Sequence, residues 1–478
     1  MNKKAILIYP VPSMEFSAHV APPLSILYPG AYAEQNGFSV EYFDLRVDKL
    51  SDLKKMLMET PLLVGISSMT GFQLQGALKV IEFVKSHSPV TPIVLGGVHV
   101  SCMPGEALKH SLIDYEVIGE GEDTLLELLL YLRGENLSIE QIKGIAWKKG
   151  DEIIVNEPRP FIDMNKIPSP ITANSLRLYK FYSWGKVEVT RGCPHRCSFC
   201  YNSVFNKRRW RSKTIEHVEQ EIRRLKKLVP RFDSVSLLSD NIGKDKKYIA
   251  GLSDLMGNMK LSWHTGLRAD YVDNELISIL EKNCKSVFIG VESSSERILN
   301  LLNKDLAIEQ VIDCARLISK TKIVPYYSFM CGYPDETKEE ILATMDFVDR
   351  LLTIDPKAII TPFFLCTPYP GTQLYEYALE RGLKPPQSLS DWSEYNFNTA
   401  FMPWVKDKEL YENMYYITLL SLYKEARNYT KTKFEKRFMD YMQEIATLHW
   451  KNRNFNFSKE RLLYKSFIKE QNRESFYF

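Results

Sequence analysis

The stretch Thr190–Asn202, TRGCPHRCSFCYN, contains three of the eight cysteines of this 478-residue chain. Cys193, Cys197 and Cys200 are separated by three and then two residues, and no fourth cysteine lies nearby in the sequence. Thiols this close together are typical of a metal centre. The strand-like run KVEVT (186–190) comes directly before them, so we expect the loop at the carboxyl end of a strand, the catalytic edge of barrel folds.

Two structural interpretations of these cysteines compete with a catalytic one. A structural zinc site needs four ligands, and His195 could supply the fourth, but it lies inside the Cys193–Cys197 loop and would compete for geometry. Buried structural cysteines would not gather in a loop with Gly, Pro and Arg. A cubane iron–sulfur cluster usually takes four thiolates, so three thiolates leave one iron open to another ligand. The spacing therefore favours an iron–sulfur cluster with an open iron.

The composition describes an ordinary soluble globular protein, with 45% hydrophobic and 25% charged residues. A formal net charge of +3 favours no strongly charged partner, so we expect no nucleic-acid ligand. No run of 18 apolar residues occurs, which predicts no membrane span. The N-terminal AILIYP (5–10) is interpreted as a buried strand rather than a signal peptide. The cysteines do not suggest a secreted disulfide framework, so we expect a reducing cytoplasm.

Short β-rich runs alternate with amphipathic helical stretches along most of the chain. In the first 145 residues this rhythm predicts a doubly wound, Rossmann-like parallel sheet, which binds ligands beyond the carboxyl ends of its strands. From residue 186 it predicts a partial (β/α)6 barrel of the TIM type. The expected strands are 5–10, 39–44, 62–68, 92–97 and 114–121 in the first sheet, and 186–190, 234–240, 262–268, 286–293, 324–332 and 358–366 in the barrel.

Four segments are expected along the chain. Residues 1–145 form the Rossmann-like domain, and the proline-punctuated residues 146–185 form a linker. Residues 186–395 form the barrel, and residues 396–478, rich in Tyr, Phe, Lys and Arg, form a helical C-terminal region. The basic run NKRRWRSK (206–213) is interpreted as a solvated face or as contacts to neighbouring loops, rather than as a phosphate site.

The Cys-x3-Cys-x2-Cys loop, with Phe199 before its last cysteine, resembles the radical S-adenosylmethionine (SAM) superfamily. The resemblance implies a 4Fe–4S cluster held by Cys193, Cys197 and Cys200, with SAM on the open iron. It also implies an external electron donor of the flavodoxin or ferredoxin type and anaerobic cleavage of SAM to a 5′-deoxyadenosyl radical. The strand-end residues that would bind SAM are Ser239, Asp240, Arg268, Gly290 and Glu292. For Glu292, a solvated strand-end carboxylate is the alternative.

Four stretches of the first domain together resemble the cobalamin-binding domain that is fused to this superfamily. They are PPLSILYPGAYAEQNGFSVEYFD (22–44), VGISSMTG (64–71), LGGVHVSCMPGEAL (95–108) and DYEVIGEGEDTLLEL (114–128). Glycines at strand ends let a bulky ligand approach the backbone closely. The residues expected to bind cobalamin are Ser68, Met69, Thr70, Gly96, Gly97, His99, Glu120, Gly121 and Glu122.

The lower axial position of cobalt is where this chain departs from many cobalamin-binding domains. Those domains carry a histidine ligand in Asp-x-His-x-x-Gly, and no histidine here fits that pattern, since Gly97 stands where the aspartate would precede His99. We therefore expect base-off cobalamin without a histidine ligand, its lower face vacant, bound to water or covered by the Ser68–Thr70 loop. His99 is interpreted as a hydrogen-bond partner of the cobalamin tail.

The resemblance implies a cobalamin-dependent radical SAM C-methyltransferase. Methylcobalamin would give a methyl group to an unactivated carbon after hydrogen abstraction by the 5′-deoxyadenosyl radical. The alternative is a cobalamin-dependent oxidative cyclase or ring-rearranging enzyme that transfers no methyl group. A non-catalytic cobalamin sensor or carrier is disfavoured by the intact cysteine triad. In either enzyme, a small-molecule or peptide substrate is expected between the two domains.

Overall fold

The computed structural model of the chain describes residues 4–10, 21–182, 185–229, 232–396, 400, 402–423, 430 and 432–471. No helix within these ranges is long and apolar enough to cross a membrane.

The N-terminal part is a seven-stranded sheet with helices on both faces, as expected. Its order is β2-β1-β3-β4-β5-β6-β7; the first five strands are parallel, and β6 and β7 are antiparallel to their neighbours. The strands are β1 (Lys4–Tyr9), β2 (Ser39–Asp44), β3 (Leu63–Ser67), β4 (Ile93–Gly96), β5 (Tyr115–Val117), β6 (Ile145–Lys149) and β7 (Glu152–Val155). The α-helices are α1 (Leu24–Gln35), α2 (Leu50–Leu57), α3 (Phe72–His87), α4 (Val98–Cys102) and α5 (Gly121–Leu132).

Strand β1 shows why this sheet must be covered on both sides. Ala5 and Leu7 pack into one buried cluster with α1 and α5, whereas Ile6 and Ile8 pack into another with α2 and α3. A parallel strand buried on both faces is apolar throughout, which is the pattern AILI.

The segment expected to be a linker is partly built into this sheet. Strands β6 and β7 form a hairpin around Gly150, whose φ of +62° suits the tight turn. Helix α6 (Leu176–Tyr182) follows before the barrel begins. The sequence predicts a linker here because of the prolines that follow the hairpin. Local sequence does not reveal that β6 pairs with β5, because the partner strand lies about 30 residues away.

The second sheet is an open parallel barrel with the order β15-β14-β13-β12-β11-β8, and β16 also pairs with β14. Its strands are β8 (Gly185–Glu188), β11 (Ser234–Leu238), β12 (Ser262–Leu267), β13 (Cys284–Glu292), β14 (Val324–Cys331), β15 (Ile359–Ile360) and β16 (Phe364–Leu365), and a separate antiparallel ribbon joins β9 (Thr190–Arg191) to β10 (Arg211–Ser212). The strand expected over 358–366 is split into two, because Pro362 lies between them and has no N–H for a ladder.

Helices cover the outside of the barrel and follow it in the C-terminal region. Beside the barrel lie α7 (Asn202–Phe205), α8 (Ile215–Leu228), α9 (Lys246–Asn258), α10 (Asn274–Leu280), α11 (Glu296–Leu301), α12 (Ile308–Ser319), α13 (Lys338–Ile354), α14 (Gln373–Glu380) and α15 (Leu389–Glu394). The helices expected in the C-terminal region are α16 (Lys408–Ser421), α17 (Lys433–Lys451) and α18 (Ser458–Gln471). Helix α15 packs against α3 of the first sheet through the fully buried Trp392, so the two parts are joined by core contacts.

Candidate active site

The cysteine loop is fastened to the barrel at several points. Gly192 has a φ of +86°, and a Cβ there would lie 1.8 Å from the carbonyl oxygen of Arg209, so only glycine fits. The Gly192 N–H donates to Asp240 Oδ2 at 2.6 Å, which ties the loop to the end of β11. Further along, the Ser198 N–H donates to the Leu302 carbonyl at 2.8 Å. The loop therefore has a conformation set by its neighbours.

The three thiols lie near one another and face hydrogen-bond donors. Cys197 is buried, and Cys193 and Cys200 are half-buried. Asn241 Nδ2 lies 3.6 Å from Cys193 Sγ, and Arg268 Nη1 lies 3.9 Å from Cys197 Sγ. Burial raises the pKa of the Cys200 thiol to about 11, an effect to which the neighbouring thiols add. Donors directed at sulfur stabilise the negative charge that thiolate ligands and a cluster carry.

His195 does not join the three thiols as a fourth zinc ligand. Among the described residues, no three His, Cys, Asp or Glu side chains converge closely enough to hold one metal ion. Each thiolate of a cubane binds a different iron, so cluster ligands stand further apart than the ligands of one zinc. His195, the possible fourth zinc ligand, instead has Nε2 2.8 Å from the Tyr271 hydroxyl.

The residues expected to bind SAM gather at the same end of the barrel. Arg268 is buried, and its Nη2 donates to the Lys304 carbonyl at 2.8 Å. Glu292 has a φ of +75°, and its Oε1 accepts from Lys304 Nζ at 2.7 Å. A Cβ at Gly290 would lie 2.4 Å from that same Oε1, so glycine leaves room for the carboxylate. Glu292 is thus a buried, paired carboxylate rather than a solvated one.

The Ser239 hydroxyl is hydrogen-bonded to the Thr190 hydroxyl, beside Asp240 and the cysteine loop. The structure therefore brings together all five predicted SAM residues, which come from three successive strand ends. Their contact with SAM stays a prediction. Asn241, which follows Asp240 at the same strand end, also belongs to this neighbourhood. Lys304 belongs to it too and had no distinctive signal in the sequence, because a single Lys after a helix is common.

An open cavity of about 340 Å³ lies between the two sheets and is lined by both. The first sheet contributes the strand ends at Ser67 and Gly96, and the barrel contributes Thr190, Leu238 and Asp240. The strand carboxyl ends of the two parts thus open on one space. We call this space the cleft.

The half of the cleft that the first sheet lines has apolar walls and a mouth rich in glycine. Between the sheet and helices α1 and α5 its walls are the apolar side chains of Leu7, Leu24, Val94 and Leu125. Glycines at 96, 97, 119 and 121 expose the backbone at its mouth. A Cβ at Gly97, where φ is +102°, would lie 2.5 Å from the Ser68 carbonyl oxygen, so that loop contact requires glycine.

The structure does not bring His99 to the cleft. Its imidazole is fully buried, with Nδ1 2.9 Å from Thr70 Oγ1 and Nε2 3.7 Å from Glu106 Oε2. The Ser68 hydroxyl is also turned inward, donating to the Gly96 carbonyl at 2.8 Å. Of the predicted 68–70 loop, only Met69 is largely exposed, at 52%.

Glu120 and Glu122 line the cleft but are bound to the barrel. Arg191 reaches Glu120 at 3.0 Å, Glu122 at 2.7 Å and Glu188 at 2.9 Å, and Arg211 reaches Glu120 at 2.8 Å. Burial acts to raise the pKa of Glu120, but the two arginines outweigh it and the pKa is lowered. Sequence reasoning missed Arg191, although it directly precedes the cysteine loop.

A second buried contact crosses between the two parts. Lys213 Nζ lies 2.7 Å from Glu221 Oε2 and 2.8 Å from the hydroxyl of Tyr28, which lines the cleft from α1. Two residues at the C-terminal end of the basic run 206–213, Arg211 and Lys213, therefore contact neighbouring elements.

Cys331 and Cys366 are fully buried, and burial raises both thiol pKa values well above their usual range, so they are core residues.

Fold and site together define a two-part enzyme, in which a doubly wound cofactor domain faces an open barrel that carries a three-thiol loop. Family models agree: residues 187–348 match the radical SAM superfamily, and residues 16–129 match the B12 binding domain. An uncharacterized methyltransferase of Pyrococcus horikoshii is 30% identical over 374 residues, which are 76% of this chain and 79% of the relative. The chain belongs to the cobalamin-binding radical SAM family. Its cofactors are the 4Fe–4S cluster, SAM and cobalamin.

Two further comparisons bear on the fold and on the range of reactions. An anaerobic magnesium-protoporphyrin IX monomethyl ester cyclase of Rubrivivax gelatinosus is 24% identical and covers 92% of this chain and 84% of the relative. The solved structure of the cobalamin-dependent S-adenosylmethionine radical enzyme OxsB, with aqua-cobalamin and SAM bound, covers 98% of this chain and 75% of that chain. Its TM-score is 0.75 at 18% identity, which confirms the fold.

Proposed function

We propose that this protein is a C-methyltransferase that acts on an unactivated carbon of a substrate bound in the cleft. The observation that carries the proposal is the cleft itself, because the carboxyl ends of both sheets open on it. A relative named as a methyltransferase, 30% identical to this chain, supports the same reaction class. When bound, the cluster and SAM supply a carbon radical that removes a substrate hydrogen, and cobalamin supplies the methyl group.

The protein's own residues would hold and orient these groups. Cys193, Cys197 and Cys200 would bind three irons, leaving the fourth iron for SAM. The Gly192–Asp240 hydrogen bond fixes the loop that presents them. Arg191, through its pairs with Glu120 and Glu122 of the first domain, holds that domain against the barrel. Together with the packing of α15 on α3, these buried ion pairs would help to set the separation of the two cofactor sites.

The test uses full-length protein reconstituted anaerobically with iron, sulfide and cobalamin, a one-electron reductant, and SAM labelled as trideuteromethyl. With an anaerobic extract of the source organism as the substrate pool, we expect S-adenosylhomocysteine, 5′-deoxyadenosine, methionine and a product bearing the trideuteromethyl group. Cys197→Ala should abolish iron loading and 5′-deoxyadenosine formation. The matched control Cys314→Ala, at a buried cysteine of α12, should retain both. Labelled product from Cys197→Ala would contradict the proposal.

The second candidate is oxidative cyclisation or ring rearrangement. The observation that favours it is the likeness to an anaerobic cyclase over 92% of this chain. The same incubation separates the two reactions. A cyclase would form 5′-deoxyadenosine and a dehydrogenated or rearranged product that carries no label. The amount of S-adenosylhomocysteine would then not rise in proportion to the amount of product.

A further inference from the structure

The strand register places side chains of the barrel in rows. Leu238 pairs with Glu188 on β8, and Phe288 pairs with Gly266 on β12 and with Tyr326 on β14. Leu238 and Gly266 each lie two residues beyond the last β11–β12 pair, so they stand at the same height. These five residues therefore form one row across the sheet.

The middle of this row, from Leu238 to Phe288, faces the inside of the open barrel and is not covered. Alternate residues of a strand point to opposite faces, and Val287 and Ile289 are fully buried against the helices. Phe288 between them therefore points inward, and it is 47% exposed; Leu238 is 37% exposed. Inward side chains of a closed barrel fill its core. Here the path of strands ends at β8 and β15, so an apolar surface is left open.

Gly266 makes the centre of this surface flat. A Cβ at Gly266 would meet no atom closer than 3.9 Å, the carbonyl oxygens of Phe288 and Ser239. The glycine is therefore not demanded by a close backbone contact. A larger side chain would project into the barrel interior without displacing its neighbours.

The neighbouring rows, two residues later and two residues earlier along the strands, contain polar side chains. Two residues further along β12 and β13 are Arg268 and Gly290, at the level of the predicted SAM site. Two residues earlier on β12 is His264, whose Nδ1 lies 2.6 Å from Ser286 Oγ and whose Nε2 lies 2.6 Å from Ser234 Oγ. The open surface between these layers is apolar, and Leu238 also lines the cleft.

We infer that the surface of Leu238, Gly266 and Phe288 binds an apolar hydrocarbon part of the substrate and selects the substrate by it. The inference rests on the proposed function, which requires the substrate to reach the strand carboxyl ends. Covering exposed apolar side chains with a hydrocarbon removes their surface from water. An anionic group pressed against the same surface would lose its hydration without gaining a partner, because the row ends at the carboxylate of Glu188.

The test measures binding of the neutral apolar dye N-phenyl-1-naphthylamine to the reconstituted full-length protein by fluorescence. Gly266→Leu fills the centre of the surface and should weaken dye binding at least tenfold, because one methylene alone is worth about tenfold or more in an apolar pocket. Leu462→Ser is the matched control, since Leu462 is a 60% exposed apolar residue on α18, and it should leave the affinity unchanged. Equal dye affinity for wild-type protein and Gly266→Leu would overturn the inference.

A second variant and a second readout keep the outcome clear. If Gly266→Leu loads less iron than wild type, Phe288→Asn replaces it, and the same tenfold loss of dye affinity is expected. Failure of the wild-type enzyme to form S-adenosylhomocysteine would refute the proposed methyl transfer but not the inference. A dye affinity that neither substitution changes would refute the inference but not the methyl transfer.

Discussion

Replacing Lys213 by methionine tests how far its buried ion pair with Glu221 of α8 stabilises the protein. Lys213 and Glu221 have side chains that are 0% and 1% exposed, and their charged atoms lie 2.7 Å apart. The Tyr28 hydroxyl accepts from Lys213 Nζ and donates to Glu221 Oε1 at 2.9 Å. In Lys213→Met, the Glu221 carboxylate keeps the tyrosine hydroxyl but loses its buried counter-charge.

The expected loss is large, because a buried charge is left without its partner. Breaking one side of a buried ion pair costs about 3–5 kcal/mol, which is roughly a 100- to 4,000-fold change in the folded-to-unfolded ratio. Removing both charges leaves no unpaired buried charge, which is the main cost of removing one partner alone. Lys213→Met/Glu221→Gln should therefore regain most of the stability that Lys213→Met loses.

The assay is anaerobic urea unfolding of the full-length apo protein, followed by tryptophan fluorescence and compared as a shift in midpoint between variants. Lys246→Met is the control, because Lys246 makes comparable contacts to Asp273 and Glu275 at the surface, where ion pairs contribute little. A midpoint for Lys213→Met equal to that of Lys246→Met would refute the reasoning. A double variant no more stable than Lys213→Met would refute it as well.

Three further predictions concern the two loops and a buried acid. Gly192→Ala should lose iron but retain cobalamin, because its Cβ would lie 1.8 Å from the Arg209 carbonyl oxygen and would displace the cysteine loop; iron analysis and cobalamin absorbance check this. Gly97→Ala should show the converse, because its Cβ would lie 2.5 Å from the Ser68 carbonyl oxygen; iron loss in Gly97→Ala would contradict separate sites. Burial raises the pKa of Glu336 from 4.5 to about 8, so its stabilising contribution is complete below pH 4.5 and is lost as the pH rises through 8. Glu336→Gln should remove this decline, on the order of 4 kcal/mol, from urea midpoints measured between pH 5 and pH 9; an unchanged pH dependence would count against it.

Local patterns were enough to predict the two sheets and the cysteine loop. In strand β1, four successive apolar residues are buried, two on each face of the sheet. Cys193, Cys197 and Cys200 lie within one turn-rich segment. The family resemblance then supplied the cofactors, and the fold and the family are confirmed. The ligand roles of individual residues stay predictions, because no local pattern measures their distance to a cofactor.

Hydrogen bonding decides how some loop side chains are oriented, whereas the sequence shows only that these residues lie on a loop. His99 lies in the expected loop after β4, yet its imidazole turns into the core, where Thr70 and Glu106 face it. The hairpin of β6 and β7 joins the first sheet although prolines follow it, because the edge of β5 offered unpaired backbone groups.

The sequence by itself determined which elements form and where the thiols, glycines and strand ends fall along the chain, since these follow from patterns a few residues long. Only the tertiary structure decided how the two parts meet. Arg191 binds Glu122 across 69 residues, and Lys213 binds Tyr28 across 185 residues. The charges of these residues are visible in the sequence, but their pairing depends on which surfaces become buried together. Burial makes such pairs specific, because a charge removed from water must find its partner within the fold.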